Sequence, residues 1–208
     1  MDSSRKKYIS IFVVWLFTIS GVLGILMGYK QWFLSLTWLN LLVYFLIILW
    51  NADFNKTVLL ALCIPFGIGM VTEFLGANYG LIFGAYDYGE NLGPKVLGVP
   101  WTIGLNWAIL TYCSAGIVKK LQSNLWISSV LGSILMVFLD LIIEVSAPKF
   151  DFWKFEEEIV PLQNYVGWFF VALLAHVLLQ RSIKVFHFTV SLHIFIAILF
   201  FFSVFLFV

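Results

Sequence analysis

The sequence predicts an all-α membrane protein, a polytopic bundle of about seven transmembrane helices with the N-terminus inside and the C-terminus outside. Three observations predict it. The 208 residues are 62% hydrophobic and 11% charged, with a mean hydropathy of +1.01, where soluble domains carry about 25% charged residues. Apolar runs recur at close to the roughly 20-residue length that crosses a bilayer. Lys and Arg are divided unevenly between the connecting loops. No segment between the runs is long enough for a separate soluble domain and no internal repeat stands out, so residues 1–208 read as one integral membrane domain.

The runs are 8–28, 33–50, 57–75, 100–118, 125–144, 161–181 and 185–207. The first follows Arg5, Lys6 and Lys7, as a signal peptide would. It is too long for a typical signal core and lacks a small-x-small cleavage site, so it reads as a retained helix. Gly24 and Gly28, four apart, suit a close helix contact. Cys63 and Cys113 lie inside the third and fourth runs without metal or disulfide spacing, and read as small packing residues. The last run ends in LFFFSVFLFV, apolar on every side, which reads as lipid-facing.

Orientation follows from loop charge. With the N-terminus inside, Arg5, Lys6, Lys7, Lys56, Lys119, Lys120, Arg181 and Lys184 fall on the inner face. Lys30, Lys95, Lys149 and Lys154 fall on the outer face, eight against four. The net charge of +1 and the lack of a long basic run speak against nucleic acid as a partner.

Two long segments share the outer face, 76–99 (GANYGLIFGAYDYGENLGPKVLGV) and 145–160 (VSAPKFDFWKFEEEIV). The first is rich in Gly and Tyr, and its composition favours neither helix nor strand. Irregular backbone at membrane depth persists only against protein or a wet cavity. It reads as a lid or re-entrant loop over a site.

The candidate site is acidic. Asp140 and Glu144 stand one turn apart on one face of the fifth run. A carboxylate near lipid costs roughly 2.5–3.5 kcal/mol on insertion scales, so such residues are functional candidates by default. Two close, desolvated carboxyls can keep one proton between them at neutral pH, which suits general acid–base chemistry. A hydrogen-bonded pair holding helices together is the bland alternative. Glu73 ends the third run at the same depth and face. Asp87 lies in the loop, where turn chemistry explains it as well as catalysis does. Asn106, Trp107, Gln163 and Asn164 open the fourth and sixth runs, where amides can position a water or the acids, or join helices. Trp101, Trp153, Tyr165 and Trp168 fit an interfacial belt, a pocket wall or a π-face for a cation. His176, His187 and His193 are scattered, with no metal-binding spacing, no CxxCH and no GxGxxG. They read as packing residues, and an oxygen-dependent hydroxylase is disfavoured.

The stretch TEFLGANYGLIFGAYDYGENLGPKVLGVPWTIGLNW resembles the signature of a membrane carotenoid-biosynthesis family that includes carotenoid 1,2-hydratases of the CruF type. Its pattern is matched here by Glu73, Gly76, Gly80, Phe83, Gly84, Tyr86, Tyr88, Leu92, Gly93, Pro94, Gly98, Val99, Pro100 and Trp107. A second block is similar to DLIIEVSAPKFDFWKF and IVPLQNYVGW, through Asp140, Glu144, Trp153, Pro161, Asn164, Gly167 and Trp168. Val145 and Phe74 stand where the family often has Pro and His. The resemblance implies addition of water across the C1–C2 double bond of an acyclic carotenoid end, on a substrate such as lycopene or γ-carotene. It implies no cofactor, no metal and no oxygen. Asp140, the deeper acid, is expected to protonate the alkene, with Glu144 or Glu73 as the water base. Asn106, Trp107, Tyr86, Asp87, Trp153, Asn164 and Trp168 are expected to bind substrate. The partners expected are a carotenoid arriving from lipid, membrane lipids and other carotenoid-pathway enzymes. The expected location is a bacterial inner membrane, with the acids on the extracytoplasmic face.

Other readings compete. A prenyltransferase would need a second acidic motif and Mg²⁺ for a diphosphate. A carotenoid end-cyclase would return an isomer rather than a hydrate. A proton-coupled transporter would use the same buried acids without changing any pigment.

Overall fold

The computed structural model describes residues 2–157 and 159–207. Eight helices dominate: α1 (Ser3–Leu26), α2 (Lys30–Ser35), α3 (Thr37–Asn51), α4 (Lys56–Tyr79), α5 (Trp101–Lys119), α6 (Leu125–Ser146), α7 (Leu162–Ser182) and α8 (Phe188–Val204). Side chains that satisfy the free N–H groups of the first turn mark three starts. Asp2 accepts from Ser4, Asn55 from Thr57, and Asn124 from Trp126 and Ile127. Helix α4 stops at Gly80, whose φ of +64° suits a residue without Cβ.

Among the described residues, five helices, α1, α4, α5, α6 and α7, are long and apolar enough to cross a membrane. The chain is therefore an integral membrane protein built of helices. The second expected span is broken at Leu36 into α2 and α3. Helices α3 and α8 are apolar but shorter. At ~1.5 Å per residue α3 reaches only about 22 Å, against a hydrocarbon layer of about 30 Å. Helix α5 sits at the centre, buried along most of its length and packed on α3, α4, α6, α7 and α8. At the N-terminal end of α1, Lys6 pairs with Asp53 in the turn before α4.

The long loops carry more order than their composition suggests. Strand β1 (Tyr86–Tyr88) pairs antiparallel with β4 (Trp153–Phe155), with Tyr86 opposite Phe155 and Tyr88 opposite Trp153. Strands β2 (Lys95–Val96) and β3 (Val99–Pro100) form a hairpin around Leu97 and Gly98. Both turn residues have positive φ, the geometry that matches strand twist in a two-residue turn. Further bonds tie the two loops together. Gly89 N–H donates to Phe152 O (2.9 Å), and the Asn91 amide donates to Phe150 O (2.9 Å). Glu90 N–H donates to the Asp151 carboxylate (2.9 Å). The expected irregular lid is instead a strapped cap. Three-residue strands show no readable alternation, and each strand's partner lies far away in the chain.

Candidate active site

Four helices and the strap bring the acids and their partners together. Glu73 is not at a helix end, as its apolar run suggests, but well inside α4, which continues to Tyr79. Two close approaches set its surroundings. At Gly69 a Cβ would collide with the Trp107 indole, and at Gly76 it would come within 2.6 Å of the Tyr86 hydroxyl. Absence of side chains there lets α5 and β1 close over Glu73. Its carboxyl accepts from Trp107 Nε1 (2.9 Å), from Tyr88 Oη (2.7 Å) and from Tyr86 Oη. Burial first, and then the nearby Glu73 charge, hold both phenols above the usual tyrosine range. Both therefore keep the proton they donate.

Opposite lies the pair on α6. Trp153 Nε1, delivered by β4, donates to Glu144 Oε2 (2.9 Å). The single amide of Asn164, in the first turn of α7, donates to both acids, at 2.9 Å to Asp140 Oδ2 and 3.2 Å to Glu144 Oε1. Asp140 is 1% exposed, and its Oδ1 has no hydrogen-bond partner among the described residues. A buried carboxyl oxygen without a donor is where a shared proton can reside at least cost.

Between the two carboxyl groups is a small opening of about 20 Å³, lined by Glu73, Tyr86, Tyr88, Asn106, Trp107, Glu144, Trp153, Asn164 and Trp168, with Ile103 and Phe155. That volume admits one water. Trp107 and Trp168 stack at 4.4 Å, and Phe83 packs against both at 6.4 Å. The wall thus combines acids with aromatic faces.

Of the residues expected to form a site, Glu73, Glu144, Asn106, Trp107, Tyr86, Trp153, Asn164 and Trp168 line this opening. Asp140 does not reach its wall. It lies one turn deeper on α6, behind the Asn164 amide. Asp87 does not join the cluster either. In a strand successive side chains point to opposite faces, so Tyr86 and Tyr88 face the site while Asp87 is exposed. Tyr88 and Phe155 belong to the wall and were not among the expected site residues. The Tyr-x-Tyr spacing is the signal that pairs Tyr88 with Tyr86. The histidines sit elsewhere, His176 on Ser114 and His193 on Trp15. No three His, Cys, Asp or Glu side chains gather as metal ligands among the described residues.

A second cavity adjoins the opening. It measures about 420 Å³, is walled mostly by apolar residues of α1, α2, α3 and α8, and shares Ile103, Asn106 and Trp153 with the acidic opening.

A bisanhydrobacterioruberin hydratase from Haloarcula japonica is 32% identical over 106 residues, covering 46% of this chain and 36% of that protein. The aligned stretch thus spans about a third of the relative's length. No solved structure matches the chain. The profile of the family described as carotenoid biosynthesis protein matches residues 29–208, most of the sequence. The chain belongs to the carotenoid biosynthesis protein family.

Proposed function

We propose that this protein is a carotenoid hydratase, adding water across the C1–C2 double bond of an acyclic carotenoid end group to give a tertiary alcohol. One observation carries the reading. A water-sized opening between carboxyl groups shares a wall with a large apolar cavity. Hydration of a terminal alkene needs that juxtaposition, one polar reactant meeting one apolar reactant beside an acid.

The chemistry is assigned as follows. The Asp140–Glu144 pair holds one proton. Glu144, the member on the wall, gives it to C2, and a tertiary cation forms at C1. Glu73, fixed by three donors, and the stacked Trp107–Trp168 faces stabilise that charge electrostatically. Water adds to C1, and its excess proton returns to the pair. The pair starts and ends with one proton, so no cofactor is consumed. Asn106 and Asn164 orient the water and the acids. This order differs from the sequence expectation, since Glu144 rather than Asp140 meets the alkene.

The loop charges support seven spans with the N-terminus inside and the C-terminus outside, the acidic site facing outward from a bacterial inner membrane. Other enzymes of the pathway are the partners that would hand over substrate. The full chain is to be expressed in a bacterium that makes lycopene or γ-carotene, and the pigments analysed by chromatography and mass spectrometry. A product heavier by one water, formed also without oxygen, is the expected result. Unchanged pigment with the protein present in the membrane would discard the reading, and an isomer of unchanged mass would point to cyclisation.

A further inference from the structure

The 420 Å³ cavity is far larger than the acid chemistry needs. It reaches the bundle surface at Leu16, Phe17 and Trp32, which are all exposed. At its other end it meets the acidic opening at Ile103, Asn106 and Trp153. It is thus an apolar passage from a lipid-facing surface to the carboxyls. Helices α1, α3 and α8 and the α2–α3 break at Leu36 leave it between them. A packed helix interface leaves few voids larger than a water, so a void of this size wants an occupant.

We infer that this passage is the binding site for the polyisoprenoid chain of the substrate, which slides in from the bilayer between α1 and α2 and presents its terminal double bond at Asn106 and Trp153. The inference rests on the hydratase reading for what happens at the inner end. The occupant is a long, flexible-ended, uncharged hydrocarbon, because no charged side chain lines the passage. The polar groups along it are neutral; Thr18 and Tyr44 share a hydroxyl bond of 2.7 Å, while Asn40 Oδ1 has no partner among the described residues. Walls of this kind reject a diphosphate-bearing chain, whose charge would lose its hydration without gaining a partner.

Two positions that line the passage but not the acidic opening make the test. A Cβ added at Gly21 would already touch Phe201 at 3.4 Å, so a larger side chain there must project into the passage, and Leu39 lines the wall on α3. Gly21→Leu and Leu39→Trp each narrow the passage. Purified full-length protein is to be assayed with lycopene and with a ten-carbon acyclic hydrocarbon carrying the same terminal double bond. The short probe fills much less of the passage than lycopene does. A plug that blocks the chain lowers lycopene hydration by about 10–200-fold, the range one pocket contact controls, and leaves the short probe within about threefold. Undiminished lycopene hydration in both variants overturns the passage, while the hydratase reading stands. So does an equal fall for both probes in variants that melt like the wild type. If the wild type hydrates neither probe, the hydratase reading fails. Retained lycopene, measured as pigment per purified protein, then decides the passage alone. Loss of bound pigment in either plug supports it, and equal pigment in both overturns it.

Discussion

The interface of α6 with α7 holds two buried polar clusters, one at each end, and they are built on opposite principles. Towards the ends of α6 and α7 nearest Asn124 and Ser182, every group finds a neutral partner. Ser128 Oγ donates to Gln180 Oε1 (2.6 Å), and Ser133 Oγ donates to Ser129 O (2.8 Å). His176 Nδ1 donates to Ala172 O (2.8 Å), which leaves Nε2 to accept from Ser114 (2.8 Å). Gly132 lets α6 lie flat on that imidazole. At the far end Asp140 leaves one carboxyl oxygen unpartnered among the described residues, and Glu144 and Asn164 border an opening. A neutral, self-satisfied cluster in a membrane bundle holds helices together. An ionisable cluster with spare capacity beside a cavity is equipped to exchange a proton. Burial and polarity are common to both, so neither alone identifies a site.

The sharpest way to break this contrast is to remove the proton from the acidic end. Glu144→Gln keeps size and hydrogen-bonding capacity but cannot ionise. We expect hydration to fall by about 10²–10⁴-fold, the usual worth of a positioned acid or base. Membrane level and melting temperature should be unchanged. Asp140→Asn should lose activity too, because the pair then has one carboxyl in place of two. Near-normal product from either variant would remove that residue from the proton-sharing pair.

Next in size is the opposing carboxyl. Glu73→Gln should cost about 10²–10³-fold in rate, as loss of one electrostatic stabiliser does, with substrate retention unchanged. Tyr88→Phe removes one of three donors and should cost less than Glu73→Gln. If Tyr88→Phe is the more damaging, then the phenol itself takes part in the chemistry.

The neutral cluster should respond in stability rather than rate. His176→Ala removes the imidazole bonds to Ser114 and Ala172 and opens a hole against Gly132. It should lower stability by about 1–3 kcal/mol, seen as a lower melting temperature in detergent, with the rate per folded molecule preserved. A rate loss without destabilisation would erase the distinction between the two ends.

How much of this was legible in the sequence divides along the same line. The helices were readable because apolar runs of bilayer length are long-range averages, insensitive to single residues. Their ends were not. Glu73 sits in a helix that runs past it to Tyr79, because AsnTyr before Gly80 still completes a turn although it is no longer apolar. The break at Leu36 carries neither Gly nor Pro, so nothing in the local sequence marks it. Asp140, Glu144 and Asn164 could be named as a site because acids and amides are rare in such runs. Their geometry could not, since the amide that bridges the acids comes from another helix. The strap between β1 and β4 was invisible for the same reason, and with it the reach of Trp153 to Glu144. The apolar cavity was beyond sequence reasoning altogether, because it is a gap between helices that are each ordinary.

The smallest expected effect is the most discriminating test of the strap. Asp87 lies between Tyr86 and Tyr88, inside the segment that resembles the family signature, and proximity in sequence would assign it a role. The strand turns its carboxylate to the exposed side, opposite Lys154. An exposed cross-strand pair of this kind contributes little, about 0–1 kcal/mol, screened further by salt. Asp87→Asn should therefore leave hydration within about twofold and stability within about 0.5 kcal/mol, as surface changes usually do. Product formation and melting temperature, measured beside Tyr88→Phe, would settle whether the alternation holds. If the Asp87 variant is the weaker enzyme, the register of β1 against β4 is wrong by one residue, because a one-residue slip exchanges the faces of the strand. Both tyrosines would then point away from Glu73, and the stabilising role proposed for that carboxyl would lose two of its three donors.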